Sequence, residues 1–343
     1  MRKPPAVGPF EIVWVGDVLL ASSARPHLEE HGYDWPFAHL GPLLNADYRI
    51  GNAEGPITEC TDKHFPDKRW SYRSDPSAAT ALARAGFDAL GLSNNHAYDR
   101  GPVGLMDTIR HLRAAGVAPF GAGLAAEAEA PLLIPTPFGP VGVIAVSKRG
   151  DQTQDAGPEV PGTIMLSHPA VTRGRALALE AGARWVVAFV HWGSNYKPVT
   201  EVQRRVAAGL ADIGFDLVIG TGAHVPQPVE VIDGMPVLFC LGNFTFGSKG
   251  RFTDEAPGFG LVARTSFDDS GLAGIELCVI NTDNREVAFQ PRPCDEATAA
   301  AVLSGLGPDV TVVGGTGLVT CSRPGQGRSD QVLITDRNHS AGS

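Results

Sequence analysis

The chain has 343 residues, 43% of them hydrophobic, which is material for a sizeable core and more than one average domain needs. Lysine and arginine total 28 against 37 aspartates and glutamates, and the resulting net charge of −9 argues against a nucleic-acid-binding or anionic-membrane surface. No apolar run reaches the roughly 18 residues of a membrane span, and no apolar secretion segment precedes Glu11, so a cytoplasmic protein is expected. Cys60, Cys240, Cys278, Cys294 and Cys321 contain no CxxC pair and read as thiols of a reducing compartment.

In chain order, an apolar strand over 11–15 ends at Gly16-Asp17, and a second over 47–50 ends in the run Gly51-Asn52-Ala53-Glu54-Gly55. Asp75 and Pro76 open a helix that reaches 84 and is closed by Gly86. A strand over 89–92 then empties into Ser93-Asn94-Asn95-His96-Ala97-Tyr98-Asp99, ahead of a helix over 102–115. A hairpin over 131–146 turns at Phe138-Gly139-Pro140, and the polar stretch 150–162 reads as a loop. A helix over 170–182 precedes the most apolar strand, 185–190, which ends at His191-Trp192-Gly193. Val202, Val206, Leu210 and Ile213 mark a helix over 200–213. The strand 216–219 ends in Gly220 and, four residues on, His224, and a hairpin turning at Asp233-Gly234 returns to Leu241-Gly242-Asn243-Phe244. Beyond about 250 the pattern is strand, turn, strand (261–267, 275–280, 287–290), then a helix over 295–303 and a polar tail from 324. Residues 1–250 are therefore expected to form the core, and 251–343 a β-rich extension with a frayed end.

The alternation of strands and helices predicts an α/β protein. Five strands end in a small residue beside a potential ligand: Asp17, Glu54, the Asn95-His96 pair, His191 and His224. Strand ends of parallel neighbours share one rim, where α/β folds bind ligands. Two carboxylates, an amide oxygen and two imidazoles would suit Mn, Fe or Zn, whereas Ca prefers oxygen throughout.

The ordered set Val15-Gly16-Asp17, Gly51 to Pro56, Ser93 to Asp99, His191-Trp192-Gly193, Gly220 with His224, and Leu241-Gly242-Asn243-Phe244 resembles the capsule-synthesis CapA family. That family is associated with poly-γ-glutamate biosynthesis and lies within the calcineurin-like metallophosphoesterase superfamily. The resemblance covers roughly residues 10–250 and implies a four-layer αββα sandwich with one or two divalent metal ions at the strand ends. By the same likeness Asp17 and His224 serve the first metal, Glu54 bridges, and Asn95 and His191 serve the second. His96 becomes the general acid, steadied by Asp99. The chain departs from the wider pattern at Leu19 and Gly222, where histidines are usual, and at Asn195, where a glutamate is common.

Substrate contacts are expected from Asn94, from Arg69, Arg73, Lys148 and Arg149, which place local positive charge on an acidic protein, and from Asn195 and Tyr196. Together these suggest a metal-dependent hydrolase acting on a small anionic substrate, a phosphoester or a glutamate-like amide, with no nucleic-acid or membrane partner. The alternatives are a non-catalytic, polymer-binding scaffold in capsule or poly-γ-glutamate assembly, and a tailoring enzyme for another small molecule.

Overall fold

The computed structural model describes residues 8–148 and 153–321. The first half of the chain alternates strands and helices: β1 (Phe10–Leu19), α1 (Arg25–His31), β2 (Tyr48–Ala53), α2 (Ser77–Arg84), β3 (Ala89–Gly91), α3 (Gly101–Ala114) and β4 (Ala118–Phe120). After a short ribbon strand β5 (Ala122–Gly123) and α4 (Ala125–Glu129), a second series follows. It contains β6 (Leu132–Ile134), β7 (Val141–Ser147), the ribbon strand β8 (Gly162–Thr163), α5 (His168–Glu180), β9 (Trp185–His191), α6 (Glu201–Ile213) and β10 (Leu217–Thr221). The chain then runs through β11 (Val229–Ile232), β12 (Met235–Leu238), β13 (Asn243–Phe246), β14 (Phe259–Asp268), β15 (Gly271–Asn281), β16 (Arg292–Pro293), α7 (Glu296–Ser304), β17 (Val310–Val313) and β18 (Thr316–Val319).

Two large sheets result. One has the order β17-β18-β15-β14-β1-β2-β3-β4, with β13 also pairing β1, and β1 to β4 run parallel. The other has the order β11-β12-β10-β9-β7-β6, with β7, β9, β10 and β12 parallel. Residues after 250 are β-rich, as expected, and join the first sheet directly: β14 pairs antiparallel with β1 from Phe10 to Val15, and β15 pairs with β14.

Strand alternation assigns the layers. Ile12 and Trp14 of β1 share one buried cluster with Val143 and Ala145 of β7, Val187 and Phe189 of β9, and Leu217 and Ile219 of β10, so these side chains fill the space between the sheets. The intervening Val13 and Val15 pack instead with Leu28, Leu82, Leu105, Ile109 and Leu112 of the first three helices. On the other sheet Val186, Ala188, Val190 and Val218 pack with Val171 and Ala178 of α5 and Leu210 of α6. The order helix, sheet, sheet, helix is the four-layer αββα sandwich. Trp14 ties its centre together: the indole N–H donates to Thr265 Oγ1 at 2.9 Å and the ring lies 6.3 Å from that of Phe189.

Local signals place several boundaries. Thr200 and Gln203 form a capping box on α6, and Gly214 closes that helix at φ 94°. The strand expected over 287–290 is absent: Ala288 and Phe289 take φ of 48° and 63°, and Asn284 Oδ1 accepts the Phe289 N–H at 3.0 Å. The alternating buried Val287 and Phe289 imitate a strand within a turn. Helix α1 and strands β4, β17 and β18 lie where no element was expected. The polar tail from 324 and part of the 150–162 loop fall outside the described residues. No helix among the described residues is long and apolar enough to cross a membrane.

Close sheet packing leaves no room at Gly91, where an added Cβ would meet Phe189 Cε1 at 2.8 Å and Cδ1 at 2.9 Å. Gly91→Ala is expected to destabilise the protein by about 1–3 kcal/mol, the usual cost of overpacking a filled core. Urea unfolding checks this, and an unchanged midpoint would contradict the tight inter-sheet packing.

Candidate metal centre

The carboxyl ends of the parallel strands in both sheets meet at one place. The first sheet delivers Asp17 from β1, Glu54 just past β2 and Asn94, Asn95 and His96 past β3. The second delivers His191 at the end of β9 and His224 past β10. The expected shared rim is therefore the seam between two facing sheets. Gly16 permits the approach there: a Cβ on it would fall 1.8 Å from the Gly242 carbonyl oxygen, and the Asp17 N–H donates to that same oxygen at 3.0 Å.

Asp17, Glu54 and His224 offer ligand atoms that all lie within 4.8 Å of one another, and all three residues are buried. Asp17 Oδ1 accepts from Asn52 Nδ2 at 2.8 Å, and its Oδ2 accepts from the Gly222 N–H at 3.1 Å with His224 Nδ1 at 3.3 Å. Burial works to raise the Asp17 carboxyl, but the His224 contact, the nearby imidazoles and the Asn52 amide hold it below its ordinary value. His224 Nδ1 meets Asn243 Oδ1 at 3.0 Å, which turns Nε2 toward Glu54 Oε1, 3.8 Å away. Burial opposes the imidazolium of His224, yet Glu54 and Asp17 lift its pKa to about 9. The residue sits at φ 63°, a backbone conformation side chains seldom adopt and one that clusters at functional sites.

Glu54 is the anomaly. It is 1% exposed, and neither carboxylate oxygen has a hydrogen-bond partner. Burial first, and the Asp17 charge second, push its pKa well above the ordinary glutamate value. With only the His224 and His96 rings at 3.8 Å to offset its charge, such a carboxylate is costly, and proteins either neutralise it or give it a further cation. A divalent ion among Asp17, Glu54 and His224 would do the latter, so the residues fit the group that the motifs imply.

Asn95 and His191, the pair expected for a second ion, are also brought together: Asn95 Oδ1 lies 2.9 Å from His191 Nε2. His191 Nδ1 is held by Thr221 Oγ1 at 3.0 Å and Asn52 Nδ2 at 3.3 Å. Burial holds the ring to a pKa of about 4 against the pull of Asp17, and the neutral imidazole is the form that binds metals. Leu19 and Gly222, the departures from the resembled pattern, have structural roles. Leu19 joins a small apolar cluster with Ala21 and Phe246. Gly222 gives Asp17 its backbone N–H, and a Cβ there would meet Trp192 O at 2.8 Å and the His191 ring at 3.1 Å.

His96 stands opposite His224. Its Nδ1 contacts Asp99 Oδ2 at 2.8 Å, so its Nε2 also faces Glu54 Oε1, at 3.8 Å. Asp99 is itself fixed by Lys68 Nζ at 2.6 Å and the Tyr72 N–H at 2.6 Å. Burial lowers the His96 pKa below its usual range, and Asp99 counteracts part of that. The Tyr72 ring packs on His96 at 4.3 Å, while Phe246 and Tyr196 lie 4.8 and 5.5 Å from the His224 ring, so aromatic walls enclose the centre.

Tyr196 therefore reaches the site, whereas Asn195 and Lys148 are exposed on the loops after β9 and β7. Arg69 and Arg73 line a neighbouring cleft with Tyr72. Arg149 lies outside the described residues. Asn94 requires correction as a substrate contact: its Nδ2 donates to Asn52 Oδ1 and Ala53 O, and its Oδ1 accepts the His96 N–H, so both ends of the amide are engaged inside the protein. Asn52 and Asn243, both 1% exposed, were not anticipated as site residues. Asn52 was legible in principle, since it precedes Glu54 by two residues and so shares its strand face.

Fold and site together define an αββα sandwich with a buried carboxylate, imidazole and amide cluster at the seam of its sheets. The chain belongs to the family described as bacterial capsule synthesis protein PGA_cap, whose pattern matches residues 11–248. It is 28% identical over 240 residues to the PGA biosynthesis protein CapA of Bacillus subtilis, covering 68% of this chain and 62% of that protein. It is 27% identical over 276 residues to the capsule biosynthesis protein CapA of Bacillus anthracis, covering 78% and 66%. In both cases the match spans less than two thirds of the relative. Among solved structures, a putative 5'-nucleotidase from Staphylococcus aureus in complex with alpha-ketoglutarate aligns with a TM-score of 0.43 and 14% identity, over 82% of this chain and 54% of that one.

The geometry predicts that the protein binds Mn²⁺ or Zn²⁺ in calorimetric titration. Glu54→Gln and His224→Ala are each expected to weaken binding by at least about tenfold, since even disturbing a ligand's hydrogen-bond partner costs that much. Affinity equal to wild type in both variants would exclude this centre as the metal site.

Proposed function

We propose that the chain is a metal-dependent hydrolase acting on a small anionic substrate, either a phosphoester or an amide of a glutamate-like carboxylate. The observation that carries this reading is Glu54, a buried carboxylate without a donor, standing between the Nε2 atoms of His96 and His224 at 3.8 Å from each. Asp17, Glu54 and His224 would hold the first ion, with Asn95 and His191 available to a second. A bound divalent cation supplies a water whose pKa falls from about 15.7 toward 7 and offsets negative charge developing on the substrate.

The chain's own residues account for the rest. Asp99 Oδ2 accepts a hydrogen bond from the Nδ1–H of His96, leaving Nε2 to give or take a proton inside the site. Lys68 neutralises Asp99 and also donates to the Asn95 carbonyl at 2.6 Å, so one lysine fixes both the proton-transfer arm and the loop that carries Asn95. Tyr72, Tyr196 and Phe246 restrict water around the reacting atoms, which strengthens each electrostatic contact there. Five unpaired cysteines support a reducing, cytoplasmic setting.

A second reading is favoured by a separate observation. The relatives named above are capsule or PGA biosynthesis proteins, and the family resemblance implies a histidine where this chain has Gly222. On that reading the cleft binds an anionic polymer without cleaving it.

Kinetics separate the two. His96→Ala should lower turnover of an aryl phosphate or a γ-glutamyl anilide by about 10²–10⁴, with metal content by elemental analysis unchanged. A wild-type protein that binds metal and hydrolyses neither substrate class would favour the scaffold reading, and equal rates in the variant would remove His96 from proton transfer.

A further inference from the structure

Next to the metal centre is an open cleft of about 290 Å³ lined by Arg25, Arg69, Arg73 and Arg100 together with Trp70 and Tyr72. Four arginines and no carboxylate line the space, on a chain whose net charge is −9, with Asp75 nearby interacting with Arg25 and Arg73. The arginines are held loosely or through groups that leave donors free. Arg25 pairs with Glu29 at 3.3 Å in a solvent-exposed contact, a kind worth about 0–1 kcal/mol. Arg69 rests 5.0 Å over the Trp70 ring, and Arg73 Nη1 donates to the Thr58 carbonyl at 3.3 Å. Arg100 is the buried member, 9% exposed: its Nη1 donates to Ser71 Oγ and to the Asp99 carbonyl, and its Nε has no partner.

The cleft and the metal centre share a wall. Tyr72 lines the cleft, lays its ring on His96 and donates its N–H to Asp99, and Arg100 holds the carbonyl of that same Asp99. We propose that the cleft is a second anionic subsite, which takes a carboxylate or phosphate group of the substrate remote from the group at the metal centre. The substrate class is then an oligoanion rather than a single small anion, a conclusion that rests on the hydrolase reading and narrows it. Planar guanidinium forks bind such oxyanions bidentately and are more weakly hydrated than ammonium groups. Anchoring a remote group in this way orients the bond at the reacting centre.

Calorimetry with two probes, γ-linked triglutamate and inorganic tripolyphosphate, tests the subsite on the full chain. At least one probe should bind the wild-type protein, and the double variant Arg69→Gln with Arg73→Gln should weaken it by about tenfold or more, in keeping with the loss of charge-assisted hydrogen bonds. The probe preferred identifies the subsite as one for carboxylates or for phosphates. Glu54→Gln, with folding verified by circular dichroism, should retain the arginine-dependent part of the binding because the cleft lies outside the metal ligands. Failure of both probes to bind, equal affinity in the double arginine variant, or complete loss of binding in Glu54→Gln would each overturn the proposal. Arginine-dependent binding in a protein without hydrolytic activity would instead keep the subsite and reject the hydrolase.

Discussion

The arrangement depends on a carboxylate that cannot remain as it stands. Glu54 lies at the seam of two sheets with both oxygens buried and undonated, beside a second buried carboxylate, Asp17. A buried carboxylate with no donor and only the His224 and His96 rings at 3.8 Å to offset it is unfavourable, and a proton or a further cation would relieve it. The orientation of the surrounding rings suits the second. His224 is fixed through Nδ1 by Asn243, His96 through Nδ1 by Asp99, and each presents Nε2 toward the same Glu54 oxygen. Orienting a histidine through its other ring nitrogen is how proteins prepare imidazoles for metal binding and proton transfer.

The fold is what makes this concentration of polar groups tolerable. Period-two alternation sends Ile12 and Trp14 into the inter-sheet core and Val13 and Val15 toward the helices, so the sheets are held together before the seam is reached. Asp17, Glu54, His191 and His224 come after these inter-sheet positions, toward the carboxyl ends of their strands. Glycine at 16 and 222 then allows backbone to approach where side chains would collide. Gly222 is instructive because it gives Asp17 a backbone N–H, and the space beside His191 is too small for a side chain there.

Much of this was legible in the chain itself. Strand ends at Asp17, Glu54, Asn95, His191 and His224 are local signals, because an apolar run gives way to a polar residue with a glycine within a few positions. Four features were less accessible. That the ligands divide between two facing sheets depends on which strands pair, and pairing is a long-range property. Asn94 read as a substrate contact because its type suits one, yet its role as a hydrogen-bonded brace between Asn52 and His96 appears only once those residues are adjacent in space. The segment 287–290 carries the apolar alternation of a strand, but an Asn284 side-chain hydrogen bond and two positive φ angles make it a turn. Residues after 250 disclosed their β character but not that β14 would close against β1, since register over such a separation leaves no local mark.

Diffraction from crystals grown with Mn²⁺ or Zn²⁺, recorded on both sides of the metal absorption edge, tests the central claim most directly. An anomalous peak bonded to Glu54, Asp17 and His224 at about 2.0–2.3 Å is the predicted result. A difference map with no peak among these residues, and with a protein or water donor satisfying the Glu54 carboxylate instead, would contradict it.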